Sequence, residues 1–183
     1  MKIKTKELVI KLIEETRIII NKAEKFKELS EKELNQKVTI ESWSILECIE
    51  HLNLYGDFYN PEIKRSIEFN NTAPSEIFKS GIIGNYFVKT MLPKATLNKM
   101  KTFKDKNPLE SKLNLIVIDR FIKKKGYLEL IEKAKDIDLT KTKTAISISK
   151  FIKIRLGDTF RFVVAHNKRH LLQAENLVKS FNS

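Results

Sequence analysis

Only three histidines occur among the 183 residues of this chain, and two of them stand four apart in "VVAHNKRHLLQAE", residues 163–175. Residues four apart on a helix share one face, one turn from each other. His166 and His170 can therefore aim two imidazoles at one point. Neutral imidazole is a good ligand for zinc and similar divalent ions, and three protein ligands leave a position for water or substrate. The third ligand must come from elsewhere, and His51 is the one histidine left. It sits in another helical stretch, "SILECIEHLNLYGDFY". The spacing lacks the zincin pattern: Asn167 follows His166 where H-E-x-x-H would place a glutamate base.

Other side chains near these histidines carry two readings each. Glu47 and Tyr55 lie one turn before and after His51, where either could border the open metal position. Glu47 is equally suited to cap a helix, because Ser44 precedes it by three. Gln173 lies one turn beyond His170 and could bond a substrate or fix the helix. Asp158 could orient a histidine N–H or pair with a nearby arginine. Cys48 is a fourth thiolate ligand or a small buried thiol. Trp43 is a pocket wall or core packing. Arg169 and Asn167 point partly away from the histidine face and are assigned structural roles. Catalytic candidates are thus Glu47, Tyr55 and Gln173, and the metal ligands are His51, His166 and His170.

The elements that position these residues are helical. Leu8, Leu12, Ile19, Ala23 and Phe26 form an apolar stripe over residues 5–29. "SEKELNQKVTIESW" reads as a polar connection. A second helix spans about 44–70, with a pause expected near Gly56 or Pro61. "FNNTAPSE" is a turn, "SEIFKSGIIGNYFVKTMLP" a short helix with two glycines, and "KATLNKMKTFKDKNP" a surface loop. A third long helix is expected over 108–136, with Leu113, Ile116, Phe121, Leu128 and Ile131 inward. "TKTAISISKF" alternates with period two, which leaves a short extended segment open. A fourth helix is expected from Ser149 to Lys179. The whole is all-α: a single-domain four-helix bundle over residues 1–183, with an extra segment between helices two and three.

Composition narrows the classes further. The 5 Gly and 4 Pro disfavour a loop-rich β-sandwich. The net charge of +12 raises the question of a nucleic-acid partner. Only six of the 35 basic residues are arginine, however, and the lysines are spread among acids along the whole chain, as on a solvated surface. One cysteine cannot form an intrachain disulfide, which suits a reducing compartment. The basic start "MKIKTKELVIKLIEETR" is broken by Lys11, Glu14 and Glu15, so no secretory core is expected. No apolar run approaches the ~20 residues of a membrane span. The expected location is cytoplasmic.

Two stretches carry a resemblance: W-S-x-x-E-x-x-x-H-L from Trp43 to Leu52, and G-D…H-N-x-R-H-x-x-Q from Gly157 to Gln173. Together they resemble the DinB-like superfamily of metal-binding four-helix bundles. The resemblance implies a divalent metal, zinc or nickel, held by His51, His166 and His170. It implies a metal-dependent enzyme acting on a small molecule, either a thiol S-transferase using a low-molecular-weight thiol or a hydrolase. A non-catalytic metal- or ligand-binding stress-response protein is the alternative, and a nucleic-acid binder the third. It also implies a homodimer.

Overall fold

The computed structural model describes residues 1–93, 101–123 and 126–181. Helix α1 (Thr5–Lys25) follows a short strand β1 (Lys2–Lys4), and a small helix α2 (Glu31–Asn35) lies beyond it. Helix α3 (Ile45–Glu68) leads through strand β2 (Ile77–Lys79) to α4 (Ile82–Met91). Helices α5 (Ile116–Lys123) and α6 (Gly126–Lys133) precede a hairpin, β3 (Lys143–Ile146) and β4 (Ser149–Arg155), and helix α7 (Leu156–Phe181) ends the described chain.

The bundle is a square. Helices α1 and α3 sit on one diagonal and α7 and the α5–α6 pair on the other, so α1 and α3 each pack on both members of the opposite diagonal. Leu8, Leu12, Ile19 and Ala23 of α1, Ile45, Leu46, Ile49, Leu52 and Ile63 of α3, and Phe160, Val164, Leu171 and Ala174 of α7 fill its centre. The segment between the second and third bundle helices carries α4, which packs on α7. All-α bundle architecture with an inserted crossover is thus what the apolar stripes specify.

Boundaries differ from expectation in instructive ways. The polar connection after α1 contains α2, started by a complete capping box in which Ser30 Oγ accepts from Glu33 N and Glu33 returns a carboxylate to Ser30 N. Helix α3 does not pause at Gly56 or Pro61; both lie inside it. Tyr59 and Ile63, buried on either side of Pro61, outweigh the single backbone bond that proline cannot donate. The third helix begins at Ile116 rather than 108, where Asn114 Oδ1 accepts from Ile116 N at 3.0 Å. Ile116 itself is 67% exposed; Val117 and Ile118 face inward in its place, beside Phe121 and Ile131, which are buried as expected. The expected surface loop over 94–108 falls partly outside the described residues, and its remainder holds one helical turn at Lys104–Lys106.

The fourth helix starts at Leu156, not Ser149, because the period-two stretch before it forms the β3–β4 hairpin. β3 pairs antiparallel with β4, Thr144 opposite Ile154 and Ala145 opposite Lys153, with an irregularity after Ala145. The start of α7 is then fastened to the crossover by Asp158, which has no exposed surface. Its carboxylate accepts from Ser80 Oγ at 2.5 Å, Gly81 N at 2.7 Å and Arg161 Nη1 at 2.7 Å. Asp158 thus pairs with an arginine, and these partners occupy the carboxylate that the sequence also offered as the orienter of a histidine. The contact requires Gly84, whose missing Cβ would stand 2.5 Å from Asp158 Cβ.

Candidate metal centre

Helix α3 is anchored at its start by a capping box, Ser44 Oγ accepting from Glu47 N at 3.2 Å and Glu47 Oε2 from Ser44 N at 2.8 Å. His51 follows one turn after Glu47. Helix α7 buries an almost continuous run from Leu156 to His166 and closes again over Arg169–Leu171. Both helices face the bundle interior, and α3 packs directly on α7. That packing brings together three imidazoles from opposite ends of the sequence.

His51, His166 and His170 are 3%, 4% and 9% exposed. Their ring centroids form a triangle with sides of 5.0, 4.5 and 4.7 Å. One ligand atom from each lies within 4.8 Å of the others. His51 Nε2 and His166 Nε2 are 3.1 Å apart. Two nitrogens about 2.0–2.1 Å from a shared ion stand roughly 3 Å apart at a near-right angle. That pair already has the spacing of two ligands on one ion, and the His170 ligand atom lies within 4.8 Å of both. Among the described residues these three are the sole cluster of histidine, cysteine or carboxylate side chains with metal-ligand spacing.

Two hydrogen bonds set the tautomers. His51 Nδ1 donates to the Lys106 carbonyl at 2.7 Å. His170 Nδ1 donates to Gln173 Oε1 at 3.0 Å. A neutral imidazole with its proton on Nδ1 carries its lone pair on Nε2, which is how outer partners prepare histidine ligands. Burial also keeps the rings neutral. It pushes the His51 pKa down to about 4, against the raising effect of the Lys106 carbonyl bond. It pushes His170 down to about 3, helped by His51. It holds His166 well below the ordinary histidine value, with His170, His51 and Arg169 adding to the effect. Three neutral imidazoles, two of them with the Nε2 lone pair set by an outer partner, fit a borderline divalent ion in donor type and number.

Aromatic rings wall the cluster. Trp43 lies 4.6 Å from the His51 ring and 5.6 Å from His170, and Tyr55 lies 4.8 Å from His51 and 4.5 Å from His166. Trp43 is therefore a wall of the site. Tyr55 keeps its phenolic proton, since burial raises its pKa to about 12. A cavity of about 40 Å³ opens beside His166, lined by Tyr55, Tyr59, Phe121, Tyr127, Asn60 and Asn167 among others. At ~10–15 Å³ of such volume per water, it has room for a few waters or a small group. Asn167 thus reaches the cavity, beyond the structural role expected of it.

The remaining candidates fall elsewhere. Glu47 is 2% exposed with both oxygens engaged: Oε2 in the cap, Oε1 by Lys37 Nζ at 2.7 Å and Glu110 N at 2.8 Å. Gln173 stands behind His170 as its hydrogen-bond acceptor. Cys48 is wholly buried, and burial pushes its thiol far toward the protonated form. It is outside the cluster. Sequence reasoning missed Phe162, whose ring stacks on His166 at 5.7 Å and 8°. The four-residue spacing on α7 was the available signal. It also missed Lys106, which acts through its backbone carbonyl and so leaves no mark in residue type.

No curated protein and no solved structure matches this chain. The model of the DinB superfamily matches residues 19–174. That span covers most of the chain and includes His51, His166 and His170, so the chain belongs to the DinB superfamily.

Proposed function

We propose that this protein is a metal-dependent enzyme acting on a small molecule, of thiol S-transferase or hydrolase type, with zinc or nickel at its centre. The observation that supports this most is the cluster of three neutral imidazoles beside a cavity at His166. When bound, such an ion acts as a Lewis acid that lowers the pKa of a coordinated water or thiol. The chain supplies the rest. His51, His166 and His170 present three nitrogens and leave one side open. Lys106 and Gln173 hold two of those rings in the ligating tautomer. Tyr55 lays its ring against His51 and His166 and keeps its hydroxyl protonated. Trp43, Tyr55 and Phe162 exclude bulk water from the imidazoles.

The test is reconstitution with zinc or nickel, followed by assays of thiol consumption against small electrophiles and of ester and amide hydrolysis. Turnover that vanishes in His166→Ala supports the enzyme. One ion per chain with no turnover across both panels favours the binding-module alternative. We further propose a cytoplasmic homodimer. The buried, unpaired Cys48 suits a reducing compartment, and Ile10 and Ile18 on α1 are 46% and 55% exposed. A monomer mass by light scattering at all concentrations would exclude the dimer.

A further inference from the structure

We propose that Glu47 is a positioning residue that fixes the tautomer of His51 through the loop 106–110. The proposal rests on the metal-centre reading above. A helix cap needs one carboxylate oxygen, and Glu47 Oε2 meets that need with Ser44 N at 2.8 Å. Its other oxygen does more. Oε1 accepts from Glu110 N at 2.8 Å and from Lys37 Nζ at 2.7 Å. Glu110 is the one described non-glycine residue with positive φ, 64°. L residues adopt that conformation at a cost, when surrounding contacts hold them there. The bond to Glu47 is such a contact, and the reversal turns the loop back over the start of α3.

The same loop is tied on its other side. Asn107 Oδ1 accepts from Trp43 Nε1 at 3.0 Å and from Leu109 N at 3.3 Å. Trp43 and Glu47 flank the cap residue Ser44, so both ends of the loop are fastened to one helix terminus. Next to Asn107 is the Lys106 carbonyl that receives His51 Nδ1–H at 2.7 Å. If the loop lifts, His51 loses its acceptor and its proton is free to move to Nε2, the ligating nitrogen. A glutamine cannot replace Glu47 here. Its single carbonyl oxygen can serve the cap or the loop, and its amide would face an N–H donor on the other side.

The experiment compares wild type, Glu47→Gln, Asn107→Ala and Ser44→Ala. Zinc affinity is measured by chelator competition, and the His51 tautomer by long-range proton–nitrogen NMR of the metal-free proteins. Glu47→Gln and Asn107→Ala are expected to lose the Nδ1–H form of His51 and to bind zinc more weakly, by up to the ~10–100-fold that loss of a ligand's own hydrogen-bond partner costs. Ser44→Ala weakens the cap but not the loop. It is expected to lower thermal stability and leave tautomer and affinity at wild-type values. A wild-type tautomer and affinity in both loop variants, or the same losses in Ser44→Ala, overturns the proposal. If wild type itself binds no zinc, the metal-centre reading fails. The metal-free tautomers still decide the role of Glu47, and Glu47→Asp, too short to serve both Ser44 N and Glu110 N, takes its place with the same expected losses if Glu47→Gln does not fold.

Discussion

His51 Nε2 and His166 Nε2 stand 3.1 Å apart although 115 residues separate them in sequence. Their proximity depends on the packing of α3 against α7, and each ring has its own local support.

Removing one imidazole should therefore empty the site. His51→Ala, His166→Ala and His170→Ala are each expected to lose metal on dialysis, where wild type retains about one ion per chain. Elemental analysis of the dialysed proteins reads this directly. Equal metal in wild type and His166→Ala would remove the site assignment.

Gln173 gives a graded version of the same test. It is the acceptor for His170 Nδ1 at 3.0 Å, so Gln173→Ala should weaken binding about 10–100-fold without abolishing it. The sequence offered Gln173 a bond to a substrate or a role in fixing the helix; in the fold its side-chain oxygen backs His170 instead. Chelator competition measures it, and an unchanged affinity would count against the tautomer argument for His170.

Acid should destabilise the metal-free fold through these rings. In the unfolded chain a histidine ionises near pH ~6.5. In the fold His51 ionises at about 4 and His170 at about 3, with His166 depressed as well. Between those values the unfolded state binds more protons, so stability is full above pH ~6.5 and falls as pH drops through the folded values. Thermal melts from pH ~8 to ~4 should show that decline in wild type, and a shallower one in His170→Leu. Parallel profiles would mean that His170 does not titrate as a buried neutral group. In the loaded protein, acid should also release the ion, because ligands must be deprotonated.

Gly157→Ala tests the joint between crossover and bundle. Its added Cβ would lie 2.4 Å from Phe78 Cε2, and Phe78 has no exposed surface. Overpacking of that kind costs about 1–3 kcal/mol. Denaturant melts should show the loss, and an unaffected midpoint would mean that Phe78 moves freely.

The features legible in the sequence were those with local rules. Ser44 and Glu47 announce the start of α3, the 166–170 spacing announces a shared helix face, and the stripe from Leu8 to Phe26 announces α1. Features set by distant contacts were not legible. The β3–β4 pairing claimed residues 149–155 from α7. Ile116 fitted an inward period but sits outside, because the helix starts later and its phase is set by Val117, Ile118 and Phe121. Glu47 read correctly as a cap, yet its bond to Glu110 N spans 63 residues. Nothing in local spacing marks the Lys106 carbonyl as the partner of His51.

The separation of His51 and His166 has a kinetic side. Contacts between such distant segments come together only after costly loop closure. An ion held by both helices then acts mainly on the native side of the folding barrier. Metal should slow unfolding while leaving the refolding rate near its metal-free value. The centre would then act as a latch on a bundle that has already assembled, rather than as the nucleus around which it assembles.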